Sequence, residues 1–242
     1  MKIRISLLLA LTLALSGCGQ AESTEDTWSD AVRIEFSDDS VTVDGNAASA
    51  DSAVYTENDI IFYLEGQGVT YGEGTEADAH SQAEADAHTV VHITQPGTYV
   101  LSGELSAGQI AVDLGEGAET DPEAVVTLVL DGVDITCTVA PAVMFYRVYE
   151  CGSTDGDAAS WEVDTSAAGA NIMIADGTEN TIRGSYVARI YDPESVTLSE
   201  DGTEVEDAKK LHKYDGAFYS RMSMNVSGGA AGTGVLNIYG EN

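Results

Sequence analysis

VTLVLDGVDIT (126–136) and NIMIADGTENTI (171–182) are the two phrases on which the fold of this chain turns. Each runs as a short apolar strand, an Asp-Gly pair, two further residues and a second short strand. Asp-Gly is favoured where two successive residues must take positive φ, so each phrase reads as two strands around a tight corner. The second Asp-Gly follows the first by 45 residues, and Tyr214-Asp215-Gly216 follows 39 residues later. Such a spacing suits one propeller blade or two solenoid coils of about 20 to 25 residues each. The strands are short and often continuously apolar, as in strands covered on both faces, and no Trp-Asp pattern with four regular hairpins recurs. The reading is an all-β chain built as a parallel β-helix, with a β-sandwich as the alternative.

The rhythm extends outward in both directions. VRIEF (32–36), SVTVDG (40–45), DIIFYLEG (59–66), TVVHI (89–93), TYVLSG (98–103) and QIAVDL (109–114) precede the first phrase. AVMFYRVY (142–149), YVARIYD (186–192), SVTLSEDG (195–202), AFYS (217–220), MSMNVSG (222–228) and GVLNIYG (234–240) lie beyond it. Val, Ile, Thr and Tyr dominate these runs, and Gly, Asp or Asn closes them. No window of twelve residues after the N-terminal run carries a helical apolar stripe.

Composition narrows the function. The 242 residues include 10 Lys and Arg against 41 Asp and Glu, a formal charge of −31. Phosphate backbones are bound by clustered cations, so nucleic acid is excluded as a partner, as is electrostatic docking on an anionic membrane. At 43% hydrophobic the chain is too apolar for a disordered acidic tail.

The N-terminus reads as an export signal. Lys2 and Arg4 precede ISLLLALTLAL (5–15), eleven residues that are too few to span a bilayer. Leu15-Ser16-Gly17-Cys18 resembles a bacterial lipobox, which implies cleavage before Cys18 and lipidation of that cysteine. The expected organisation is a lipoprotein signal over 1–17, an acidic tether over 18–31 and a β-domain over 32–242. The protein is then exported and held on the outer face of the cell membrane by lipid alone, as a monomer. In an oxidising compartment Cys137 and Cys151 form a candidate disulfide, alternatively two buried thiols too far apart to meet.

Longer phrases carry a family likeness. ITQPGTYVLSGELSAGQIAVDL, VVTLVLDGVDITC, NIMIADGTENTI and KYDGAFYSRMSMNVSGGAAGTGVLNI resemble a bacterial extracellular carbohydrate-binding family. YGEGTEADAH and EADAHTVVHIT are similar to that family's N-terminal region. The resemblance covers roughly residues 32 to 242 and implies a right-handed parallel β-helix like that of polysaccharide lyases. It also implies calcium-dependent, non-catalytic binding of plant cell-wall polysaccharide, of the cellulose or pectic acid type. Family members run longer, and this chain stops in the rhythm of a strand, so an N-terminal part of a longer solenoid is expected.

Two chemical routes to a sugar polymer are open to such a chain. Stacked Asp-rich turns supply oxygens for calcium, and the candidates are Asp131, Asp134, Asp176, Glu179, Asn180 and Asp215. A bound cation would also reconcile an acidic protein with an acidic ligand. The plainer account of the same residues is tight turns and a soluble surface. The other route is stacking of sugar rings on aromatic faces, for which Trp161, Tyr146 and Tyr191 are the candidates. EADAH occurs at 76–80 and 84–88, and imidazole flanked by carboxylates can hold zinc; a solvated acidic loop is the alternative. No GxSxG, phosphate loop or dinucleotide fingerprint is present. A lyase acting on uronate polymers is the enzymatic alternative, with Arg189 or Arg221 as base, and a structural adhesin is the third reading.

Overall fold

The computed structural model describes residues 28–152 and 162–240; Cys18, Trp161 and the expected signal lie outside the described residues. The described chain is all-β with one short α-helix and a few single 3-10 turns. In order it contains β1 (Val32–Ser37), β2 (Ser40–Val43), β3 (Asn46–Ala47), β4 (Val54–Glu57), β5 (Gly72–Glu73) and α1 (Gln82–Asp86). Then come β6 (Thr89–Ile93), β7 (Gly97–Leu105), β8 (Gly108–Asp113), β9 (Val126–Thr136) and β10 (Val143–Arg147). β11 (Ala170–Ile174), β12 (Glu179–Gly184), β13 (Arg189–Tyr191), β14 (Thr197–Leu198) and β15 (Val205–Asp207) follow. β16 (Lys210–His212), β17 (Phe218–Ser220), β18 (Met224–Gly228) and β19 (Val235–Gly240) complete the described strands.

Two large sheets carry the structure. In the first, β7, β9, β11 and β18 pair in parallel, and β9, β12 and β19 continue the ladder past the Asp-Gly corners. In the second, β6, β8, β10 and β17 pair in parallel, with β4 antiparallel on the edge. From β6 to β9 the chain alternates between the sheets, laying each strand beside the one from its previous visit. Register then stacks like on like. Ile34, Leu101 and Leu130 form one column, Leu105, Ile135 and Ile182 another, and all are 2% exposed or less. Val91, Ile110 and Val143, with Ile93, Val112 and Phe145, form the matching columns of the second sheet, each fully buried. Burying one such side chain contributes about 1.5–3 kcal/mol, so these columns are what hold the layers together.

DIIFYLEG does not form the expected strand; only Leu64 makes an isolated bridge, to His80. The second EADAH is not a solvated loop. It winds into α1, capped by Ser81, whose hydroxyl accepts the Glu84 N–H at 3.2 Å. His88 just beyond is 2% exposed. Its Nε2 accepts the Thr138 N–H at 3.2 Å and its Nδ1 lies 2.9 Å from the Glu84 carbonyl. A backbone N–H can only donate and a carbonyl only accept, so His88 is the neutral Nδ1–H tautomer. Burial lowers its pKa below the usual histidine value, favouring the same form.

Cys137 and Cys151 are both free, which corrects the disulfide expectation. Cys137 follows the C-terminal end of β9, whereas the Cys151 turn hangs from its N-terminal end, where the Tyr149 N–H bonds to the Ala124 carbonyl. A bridge needs Cα atoms within about 7 Å, and the length of β9 lies between these two. Burial pushes the Cys137 thiol up to about 11. In the native protein a thiol reagent at pH 8 is therefore expected to modify Cys151 and to reach Cys137 only on unfolding. Equal rates for the two thiols in a mass-spectrometric time course would refute this.

Candidate carbohydrate-binding groove

The groove begins with the alternation in TVVHI. Val91 and Ile93 point into the core, so Val90 and His92 must point to the other face of β6. β4 pairs with this edge so that Tyr55 stands opposite His92. Their rings stack with centroids 4.6 Å apart and planes 12° from parallel. β8 contributes Gln109 and Asp113, β10 contributes Tyr146, and the end of β16 with the residues after it brings His212 and Tyr214 across the face. Together with Asp59 and His92 these side chains enclose a groove of about 270 Å³.

Its aromatic wall is ordered by ring packing. Tyr146 meets Tyr214 edge-on at 5.5 Å, and Tyr214 meets Tyr219 at 5.0 Å. The His212 ring lies 5.3 Å from Tyr214, with its Nδ1 2.8 Å from the Tyr214 hydroxyl. Burial raises the Tyr214 phenol to about 12 and raises the Tyr146 phenol further, so both stay protonated donors. Burial also lowers the His212 pKa, leaving a neutral ring at neutral pH. Asp113 is held by Arg147 through two 2.6 Å hydrogen bonds, the bidentate geometry that suits guanidinium and carboxylate. The Gln109 amide donates to the Pro141 carbonyl at 2.7 Å. Ring faces beside fixed polar groups suit a sugar, which presents apolar C–H faces and a rim of hydroxyls.

A second, more polar cleft of about 470 Å³ shares Tyr214 and is lined by Glu73, Asp78, Arg189, Lys213 and Asp215. Arg189 is committed there. It bonds to Glu73, which raises its pKa, and Lys210 lies 3.6 Å from the same carboxylate.

Of the aromatic candidates, Tyr146 lines the groove, while Tyr191 lies outside it, buried beside Glu73. The turn residues divide. Asp131-Gly132 and Asp176-Gly177 do stack, because β9 runs in register with β11 and β12 on either side of the corner. Asn180 fills the space between them. It is fully buried, its Oδ1 accepts the N–H groups of Gly132 and Val133 at 2.9 Å, and its Nδ2 donates to Thr178 Oγ1 and the Val235 carbonyl. Asp176 accepts the N–H groups of Ala231 and Thr233 at 2.8 and 3.0 Å, which hold its carboxyl below the usual range. Asp134 pairs with Arg183, and Glu179 accepts from the Asn237 amide at 3.2 Å. Asp131 and Asp215 are exposed. Asp215 leads into β17, on the other sheet, so it does not join the stack; the β18–β19 corner (229–234) takes the place beside Asp176.

Sequence reading missed Tyr55 and did not commit to His92, His212 or Tyr214 as site residues. A histidine at an outward position of an otherwise apolar strand was the available signal for His92. The others depend on which distant segments meet.

Residues 87–242 match the family described as carbohydrate-binding domain-containing protein. A protein of that description from Acetivibrio thermocellus is 32% identical over 104 residues, covering 43% of this chain and 28% of the relative. The matched stretch thus spans under a third of that relative's length. No solved structure matches the chain. The family match takes in β6, β8, β10 and the Tyr214 segment, all but one edge of the groove, and with it the chain belongs to the carbohydrate-binding domain-containing proteins.

Proposed function

We propose that the protein is an exported, lipid-anchored, monomeric binder of plant cell-wall polysaccharide, of the cellulose or pectic acid type, and not an enzyme. The observation that carries this reading is the convergence of His92 from β6, Tyr146 from β10 and the His212–Tyr214 segment on one groove, with Tyr214 anchoring that wall in the core. The groove is flanked by Asp59 and Asp113 and has no Lys or Arg among its lining residues, and Arg147 pairs with Asp113 from outside that lining. A neutral glucan can lie on it directly, whereas a uronate chain needs a divalent cation between two negative partners, and calcium fills that role. The alternation of strands between two parallel ladders favours coils of a right-handed β-helix over a sandwich, since parallel strands need crossovers and sandwiches use antiparallel ones. Of the two bases open to a lyase, Arg189 is bonded to Glu73, which favours its protonated form, so proton abstraction would fall to Arg221.

Affinity electrophoresis against cellulose derivatives and polygalacturonate tests this. Retardation is expected with both, abolished by chelator for polygalacturonate alone, and with no unsaturated product absorbing in the ultraviolet. Tyr146→Ala is expected to weaken retention about tenfold, the loss of one well-packed ring face. Unchanged retention in a Tyr146→Ala protein with a native melting curve would reject the groove as the site. Release of unsaturated uronides would replace the binder with the lyase.

A further inference from the structure

At the open edge of the same sheet, Glu57, Asp59 and His92 each bring one ligand atom within 4.8 Å of the other two. Backbone pairing fixes two of them. The antiparallel register places Tyr55 against His92 and Glu57 against Val90, so Glu57 and His92 stand on the same outer face of β4 and β6. Asp59 follows two residues after Glu57 and already lies 2.8 Å from His92 Nε2. Stacking on Tyr55 holds the imidazole plane.

The electrostatics at this edge are unbalanced. Elsewhere the structure pairs carboxylates with the chain's few cations: Asp113 with Arg147, Asp134 with Arg183, Glu73 with Arg189 and Asp192 with Lys209. Among the described residues neither Glu57 nor Asp59 has a Lys or Arg partner, although their oxygens approach within 4.8 Å in a chain of net charge −31. Two close carboxylates repel, and the His92 imidazole, 2.8 Å from Asp59, can offset at most one of the two negative charges.

We propose that Glu57, Asp59 and His92 bind a borderline divalent transition ion of the zinc class. Four ligands about 2.1 Å from a tetrahedral ion stand about 3.4 Å apart, which these side chains reach by small rotamer changes. One nitrogen and two carboxylate donors suit zinc or cobalt; calcium prefers six to eight oxygens and has no use for imidazole. Three protein ligands leave a position open. Asp59 and His92 also line the groove, so the open position faces bound sugar hydroxyls, a consequence that rests on the groove reading whereas ion binding itself does not.

The test uses the purified protein without polysaccharide, titrated with Co²⁺ and followed by visible absorption and calorimetry. One saturable equivalent with ligand-field bands is expected, displaced by Zn²⁺ and left in place by an equal concentration of Ca²⁺. His92→Gln and Glu57→Gln should each weaken binding more than tenfold. Glu57 is exposed and outside the core, so its variant reads the site without risk to folding. No saturable equivalent, displacement by equimolar Ca²⁺, or unchanged affinity in Glu57→Gln would each overturn the proposal. Polysaccharide retention by Glu57→Gln in metal-free buffer measures the groove separately, so the two readings fail independently.

Discussion

Asn180→Leu is expected to destabilise the protein by about 3–5 kcal/mol. The side chain is fully buried between two stacked corners and serves four groups at once. Leucine keeps the branching and heavy-atom count of asparagine but is bulkier, so overpacking adds to the loss of hydrogen bonds. The Val133 N–H would lose its acceptor in a buried place, at about 1–3 kcal/mol, and the part-buried Gly132 N–H would lose the same acceptor at less cost. The Val235 carbonyl would lose a donor as well, loosening β19 from β12. Urea unfolding should give a lower midpoint with an unchanged slope, because the surface exposed on unfolding stays the same. The same experiment distinguishes this role from calcium ligation. A structural amide costs the same stability in calcium and in chelator, whereas a ligand costs it only where calcium is present. Asp131→Asn, on an exposed residue of the same corner, should change stability by under about 0.5 kcal/mol. A loss below 1 kcal/mol for Asn180→Leu would mean that the two corners repack without the amide.

The contrast between Asn180 and its neighbours marks where sequence reading reached its limit. Periodicity and turn chemistry located most strands, because both are local. TVVHI is β6 to the residue, and Gly132 and Gly177 take the positive φ their Asp-Gly pairs announced. That the two corners stack was legible too, from phrases that repeat. What an oxygen does once stacked depends on which way its side chain faces, and a one-residue change in register reverses that. Asn180 sits inward and Glu179 outward, so one became a structural clamp and the other a surface residue, although both carry the same donor chemistry in sequence. DIIFYLEG was apolar enough for a strand, yet it has no neighbouring ladder position to occupy, and it lies across the edge, where Asp59 reaches His92. The groove was the least legible element. Tyr55, His92, Tyr146 and Tyr214 are scattered over some 160 residues of sequence, and only the alternation between two sheets brings them to one face.

Gly103→Ala should be strongly disruptive for a single added methyl. β7 approaches β1 there so closely that an added Cβ would stand 2.0 Å from the Phe36 carbonyl oxygen and 3.1 Å from its carbon. These are backbone atoms, which cannot swing aside as a side-chain tip could. Gly103 also has φ of +105°, a conformation that costs an alanine about 1–2 kcal/mol by itself. Relief requires β1 to move away, and β1 carries Ile34 and Phe36 into the core, 0% and 4% exposed. Partial loss of that burial adds about 1.5–3 kcal/mol, for a total near 3–5 kcal/mol. Gly132→Ala supplies the control: its φ is +80°, but no atom lies within 4 Å of the added methyl, so only the conformational part of about 1 kcal/mol should appear. Hydrogen exchange should then show the amides of β1 and β2 opening in Gly103→Ala while those of β8 and β10 stay protected, because the Phe36 contact ties the first sheet's edge and not the second sheet. Equal destabilisation by the two alanines would mean that backbone conformation, and not the close approach of β1, is what glycine supplies at position 103.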